Sequence, residues 1–364
     1  MPATEERPFR VLTLDGGGMR GLYSASLLRT LARLFDERFI AQEPDLGKSF
    51  DLICGTSTGA ILASALAAGI SLRRVSDLYC EHGHLIFPRP MPKKTRKVTL
   101  TWWICRHRHE SAASAEKLRS CLEQTLGSQT LGDVFRARGI ALCVTAVDAL
   151  SHKAWVFKTP HIPERHRDNN YRLVDVCMAS TAAPIFFPLY RQRNPDESHS
   201  THHFVDGGLW ANNPVMVGLV EALILARRDR EIQVISVGTC DQPSGDPYAV
   251  QSPNWGILDW RVGVTAIDMS LSAQSFGYDH MARLLATELS RSGRNVTVIR
   301  LEEGRKSPEQ YSAIGLDRAD QAALETLVYL AQKDAEQIHG KTIAGPKSPV
   351  AEVFQNLATL SPDR

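Results

Sequence analysis

Three short glycine-bearing stretches hold the residue types that could do chemistry: Asp15-Gly16-Gly17-Gly18-Met19-Arg20-Gly21, Gly55-Thr56-Ser57-Thr58-Gly59 and Asp206-Gly207-Gly208. The second places Gly-x-Ser-x-Gly between an apolar run, Phe50 to Cys54, and a small-residue apolar segment, Ala60 to Gly69. That is the pattern of a sharp strand-to-helix turn. Gly55 and Gly59 let the backbone bend and a partner pack close, leaving the Ser57 hydroxyl exposed as a nucleophile. Attack on an ester carbonyl also needs fixed N–H donors for the charge that develops on oxygen. Gly16, Gly17 and Gly18 offer such donors without side chains in the way, and the start of the following helix adds a favourable partial charge. Arg20 either braces that loop and adds positive potential or is a surface arginine at a helix start.

A serine hydroxyl needs a base. Asp206 follows Phe204-Val205 and precedes Gly207 and Gly208, the signature of a strand end with close backbone approach. Alone it reads as a turn; beside the other two loops it is a candidate base. None of the twelve histidines stands in a recognisable signature. His280 could be a late triad member, whereas His107, His109, His202 and His203 lie in polar stretches and read as solvated. A competing use of the first loop is a dinucleotide fingerprint formed by Gly16, Gly18 and Gly21, with Asp36 downstream. Against it, Asp36 falls inside the helical pattern and not at the end of a second strand. No Gly-Lys-Ser/Thr follows the glycines, so a phosphate loop is excluded.

The elements that must carry these residues alternate. Arg10 to Leu14 reads as a strand, Leu22 to Phe39 as a helix, Phe50 to Cys54 as a strand, and Ala60 to Gly69 and Leu72 to Glu81 as helices. This alternation predicts an α/β fold with a mostly parallel sheet. Both early loops then sit at its carboxyl edge, where such sheets collect ligands. Further on, Ser114 to Leu126 and Arg172 to Thr181 read as helices, Gly139 to Val147 and Lys153 to Lys158 as strands, and His161 to Asn170 and Arg191 to His203 as polar loops. Val215 to Arg228 is a predicted helix and Ile232 to Val237 a strand. The last third holds a long helical pattern from Ile257 to about Leu289, interrupted at Gly263 and Gly277, then a strand over Val296 to Leu301 and a helix over Asp317 to Gln337. One domain over residues 1–340 is the simplest organisation, with residues 85–111 as a lid-like or inserted excursion. Residues 341–364, with three prolines, form a peripheral tail.

Composition narrows the class. The chain has 364 residues, 43% of them hydrophobic, and a formal charge of +2, which gives no general reason to expect DNA or RNA binding. Seven scattered cysteines with no Cys-x-x-Cys pair favour a reducing cytosol. The N-terminus lacks the apolar stretch of a signal peptide, and no run of about 20 apolar residues occurs. A cytoplasmic protein is expected, with peripheral association with the inner membrane through the basic Lys93–His109 stretch and its pair Trp102 and Trp103. The bland alternative has both tryptophans packed on the domain.

Taken in their order, the three loops resemble those of the patatin-like phospholipases. Ala179-Ser180-Thr181-Ala182-Ala183-Pro184 with Phe187-Pro188, and Asn212-Asn213-Pro214, are similar to supporting stretches of that family. The resemblance spans roughly Arg10 to Val237. It implies a three-layer α/β/α sandwich and a catalytic Ser57–Asp206 dyad in place of a triad. It further implies an oxyanion hole around Gly16, Gly17, Gly18 and Arg20, a membrane phospholipid substrate, and neither metal nor organic cofactor. A finer resemblance, carried by the Thr-Leu-Asp-Gly-Gly-Gly-Met-Arg-Gly opening, the length and the helical last third, is to bacterial phospholipases switched on by cyclic dinucleotides in antiphage defence. It implies a cyclic dinucleotide activator and self-assembly on activation; no binding motif for the nucleotide is legible.

Overall fold

The computed structural model describes residues 7–92, 103, 111–197, 199–240, 256, 260, 263–345 and 348–360. Among these, eight strands make one sheet: β1 (Phe9–Leu14), β2 (Leu52–Thr56), β3 (Ala141–Asp148), β4 (Lys153–Lys158), β5 (Tyr190–Arg193), β6 (Thr201–Asp206), β7 (Ile232–Val237) and β8 (Val296–Arg300). The order is β5-β6-β3-β2-β1-β7-β8, with β4 also paired to β3. Neighbours from β3 to β8 run parallel, and the pairs β3–β4, β3–β6 and β5–β6 are antiparallel. The strands β2 and β7 are buried along their whole length, as continuous apolar runs covered on both faces must be.

Helices cover each face. On one lie α1 (Gly21–Phe35), α2 (Thr58–Ala68), α3 (Leu72–Ile86), α4 (Ala115–Leu126), α5 (Leu131–Arg138) and α6 (Leu173–Ser180). On the other lie α7 (Val215–Leu225) and α8 (Val264–Arg291). This is the expected three-layer α/β/α arrangement. All eleven residues of α2 are buried, because its five alanines and Gly59 let it nest between the sheet and the outer helices. The last third adds α9 (Pro308–Ala313), α10 (Gln321–Ala344) and α11 (Pro349–Gln355).

Several local expectations give way. Helix α1 stops at Phe35, and Asp36 caps the following turn by accepting from Arg38 N–H. The predicted polar loop over 191–203 contains most of the β5–β6 hairpin, so His202 and His203 are strand residues, both half-buried. Helix α8 begins after Gly263 and runs through Gly277 without a break. The C-terminal segment is not a peripheral tail over residues 349–360: Val350, Val353, Phe354 and Leu357 join the main core, and Ala358 and Thr359 pair with Asp45 and Pro44. Pro349 opens α11 with Ser348 as its cap, a position where proline favours a helix.

Of the 85–111 excursion, Leu85 and Ile86 belong to α3, and residues 93–102 and 104–110 lie outside the described residues. Trp103 is buried with Met91, Ala112 and Phe186, so it packs on the protein and does not face a membrane. Trp102 and the basic run lie outside the described residues.

Candidate active site

The turn between β2 and α2 is built as its glycines require. Ser57 has φ 54° and ψ −122°, a strained backbone that non-glycine residues rarely adopt and that a packed neighbourhood must hold. A Cβ on Gly55 would strike the Gly59 carbonyl and, on Gly59, the Leu14 carbonyl, so neither position admits a side chain. The Ser57 N–H donates to Ser180 Oγ at 2.8 Å, tying the turn to α6. With α2 starting at Thr58, the positive end of the helix dipole lies beside the Ser57 side chain.

Sheet register brings Asp206 to this turn. The β2 strand pairs with residues 141–145 of β3, ending at Thr56 opposite Thr145. The β6 strand takes over at the next position, with Asp206 opposite Ala146. As β2 turns away at Ser57, β6 fills the edge it leaves, and Ser57 Oγ donates to Asp206 Oδ2 at 2.7 Å. The other carboxylate oxygen, Oδ1, accepts the Gly208 N–H at 2.7 Å. Gly207 lies so close to Thr145 that a Cβ would clash with its carbonyl and hydroxyl. Asp206 is 6% exposed. Burial pushes its carboxyl up to about 6, the hydrogen bonds from Ser57 and Gly208 only partly opposing the shift. A carboxylate so tuned can accept a proton from Ser57 and return it near neutral pH.

The Asp15–Gly21 stretch curls over the same point. A Cβ on Gly16 would come within 2.5 Å of Asn212 Oδ1 and 3.2 Å of Ser57 Cβ. The Gly16 N–H is committed to the Asn212 carbonyl at 2.9 Å, so Gly16 provides close approach and not a free donor. By contrast, among the described residues neither Gly17 nor Gly18 donates a backbone hydrogen bond. Among these residues the two amides donate to no other group, and they line the same cavity as Ser57. Gly18 has φ +56°, and a Cβ there would strike the Leu316 carbonyl. Arg20 lines the cavity and reaches Gly17 O from Nε at 3.4 Å, consistent with bracing. The dinucleotide reading fails, because Asp36 sits at the far end of α1, bonded to Arg38.

Ser57, Asp206, the three glycines and Arg20 open onto a cavity of about 580 Å³. Its walls are mainly apolar, including Ile61, Leu78, Ile86, Phe87, Phe186 and Leu271, which suits an acyl chain. Ile185, Leu209 and Met269 line it while remaining 38%, 40% and 53% exposed, so an apolar rim reaches the surface. His280 is not part of this lining; it stacks on Phe276, an exposed side chain of the same helix. His107 and His109 lie outside the described residues.

Among the described residues one cluster has metal-ligand chemistry: Cys143, His161 and Glu221, whose ligand atoms lie within 4.8 Å of one another. Glu221 is already satisfied, one oxygen by Lys158 Nζ and the other by His161 Nε2 at 2.9 Å. Burial would raise this carboxyl, but the hydrogen bonds from His161 and Lys158 outweigh it and hold it at about 2. The cluster reads as a charge-neutralised network pinning α7 to β4.

Sequence reasoning quoted Ser180 and Asn212 without roles and passed over Leu316. The first two stand inside stretches already singled out, whereas Leu316 carries no local signal.

Residues 12–219 match the family model described as patatin-like phospholipase. A cGAMP-activated phospholipase of Pseudomonas aeruginosa is 31% identical over 342 residues, covering 93% of this chain and 91% of that protein. One from Vibrio cholerae is 30% identical over 329 residues, covering 87% and 88%. A cUMP-AMP-activated phospholipase of Escherichia coli is 28% identical over 245 residues, covering 65% and 67%.

Proposed function

This chain belongs to the patatin-like phospholipase family and is a hydrolase, and from that premise we propose that Ser57 and Asp206 are its catalytic dyad. The observation that carries the reading is the 2.7 Å hydrogen bond from Ser57 Oγ to Asp206 Oδ2 beside the free Gly17 and Gly18 amides. Ser57 Oγ attacks the acyl carbonyl carbon as its proton passes to Asp206. The tetrahedral oxyanion is held by the two amides. Collapse breaks the ester C–O bond, and Asp206 protonates the departing lysophospholipid alcohol. Water then gives a proton to Asp206 and attacks the acyl-serine. The second collapse releases the fatty acid and returns the proton to Ser57.

The reaction belongs to one catalytic domain, and of the 85–111 stretch Ile86, Phe87, Met91 and Pro92 line its cavity. The exposed rim of Ile185, Leu209 and Met269 is the route by which an acyl chain leaves a bilayer, which makes the enzyme a peripheral membrane protein when active. Among the described residues no helix is long and apolar enough to cross a membrane. The P. aeruginosa and V. cholerae relatives named for cGAMP activation favour control of this chain by a cyclic dinucleotide; self-assembly in the active state is part of the same proposal.

The test is phosphatidylglycerol-vesicle hydrolysis by the parent and by Ser57→Ala, each with and without cGAMP and cUMP-AMP. Fatty-acid release by the parent with one nucleotide, and none by Ser57→Ala, is the expected outcome. Full parental activity without nucleotide removes the gating, and an active Ser57→Ala removes the dyad.

A further inference from the structure

Apart from the Gly16 N–H bond to Asn212 O, the two free amides are bracketed by anchors that come from beyond residue 219, the end of the family-model match. On one side Asp15 ends its carboxylate in the protein interior, 0% exposed, where an isolated charge is costly. Arg300, the last residue of β8, donates to Asp15 Oδ2 from Nη2 at 2.7 Å and to Ser236 Oγ from Nη1 at 3.1 Å. Its planar fork thus joins β8 to β7 and to the end of β1, two strands away. Asp15 N–H donates to Val237 O at 3.1 Å, and Thr239 Oγ1 donates to Gly16 O at 3.0 Å. On the other side Met19 N–H donates to the Leu316 carbonyl at 2.8 Å.

We propose that Arg300 is a positioning residue of the reaction, setting through Asp15 the direction in which the Gly17 and Gly18 amides point. This rests on the assignment of those amides to the oxyanion above. Among the described residues the Gly17 and Gly18 N–H groups donate no hydrogen bond, while the Gly17 carbonyl accepts from Arg20 and the Gly18 carbonyl from Gly21 N–H, so the direction of the two amides follows from those contacts and from the residues flanking them. Arg300 fixes the incoming end by one contact to Asp15 while its other Nη holds Ser236, a two-armed arrangement that a lysine cannot reproduce. Loss of it removes the guanidinium that faces Asp15 Oδ2 in the interior, and the loop shifts with that carboxylate. Misplacing a stabilising group by about 1 Å can cost about a hundredfold in rate.

The experiment compares parent, Arg300→Lys, Arg300→Ala and Ser57→Ala on the monomeric ester p-nitrophenyl butyrate in the presence of cGAMP, with kcat and KM separated and the folded fraction measured by circular dichroism. Arg300→Lys should lose about tenfold in kcat and Arg300→Ala about a hundredfold, each with KM within about threefold of parental. Millimolar methylguanidinium should restore part of the Arg300→Ala rate and none of the Ser57→Ala rate. Parental kcat in Arg300→Lys, or a loss no greater than the loss of folded protein, overturns the proposal. If Arg300→Ala does not fold, the Lys variant decides. A Ser57→Ala enzyme as active as the parent would instead fault the dyad.

Discussion

Ser57 and Asp206 are hydrogen-bonded at 2.7 Å across 149 residues of chain because β6 pairs with β3 at the position where β2 stops. The proposed nucleophile and its proposed base are thereby consecutive places on one sheet edge. Asp206 is held by backbone on both sides, through Gly208 N–H to its carboxylate and its own N–H to Ala182 O. Such a pair is set before substrate arrives.

The base must be ionised to take the Ser57 proton. Burial places the Asp206 carboxyl at about 6, so kcat/KM on a monomeric ester should fall about tenfold per pH unit below that value and level off above it. A profile flat down to pH of about 4.5 would contradict a buried aspartate as the base.

The same burial weakens the fold at neutral pH. A carboxyl at about 6 against 3.8 in the unfolded chain binds its proton more tightly when folded. Its contribution to stability is therefore complete below 3.8 and lost as pH rises through about 6. Asp206→Asn removes the buried charge and should raise stability at pH 7 by up to about 3 kcal/mol, while abolishing hydrolysis. The gain should shrink towards zero below pH of about 4, read by urea denaturation at the two pH values. An equally large gain at both would contradict the burial of an ionised Asp206.

Gly18 combines φ +56° with a carbonyl in the place of its Cβ. Gly18→Ala should cost at least about 1–2 kcal/mol from backbone conformation alone. Displacement of the loop from Leu316 should lower kcat by about a hundredfold. A variant with parental kcat and thermal midpoint would show that the loop does not hold this conformation.

Glu221 separates a structural network from a metal centre. Its folded carboxyl at about 2 lies below the ordinary 4.5, so its contribution is present above 4.5 and lost as pH falls through about 2. Glu221→Gln should destabilise the protein at pH 7 by about 3–5 kcal/mol and leave kcat within about twofold. Dialysis against a chelator should change neither stability nor rate in the parent. Stoichiometric zinc in the purified parent, lost in Glu221→Gln, would contradict the network reading.

What was legible in the sequence was local. The elbow is read from five residues because strand, turn and helix are contiguous there, and the Asp15–Gly21 loop likewise. The β5–β6 hairpin was hidden because its residues, Tyr190–Arg193 and Thr201–Asp206, are largely polar and half exposed at a sheet edge. The register that brings Asp206 to Ser57 was therefore unreadable, although Asp206 itself was not. Helix α5 was missed although its Thr130-x-x-Asp133 capping box is in plain view. In the last third, Pro349 counted among the prolines of a peripheral tail yet opens a capped helix. Nothing local could have paired Arg300 with Asp15 or Leu316 with Met19, since those contacts exist only once the sheet order is known.

The central claim is that Ser57, activated by Asp206, is the nucleophile, and the most direct measurement is peptide mapping after treatment with a fluorophosphonate in the presence of cGAMP. The expected result is a single adduct on the peptide carrying Ser57, absent in Ser57→Ala and strongly slowed in Asp206→Asn. An adduct on another residue with full loss of hydrolysis, or undiminished hydrolysis after Ser57 is fully modified, would contradict it.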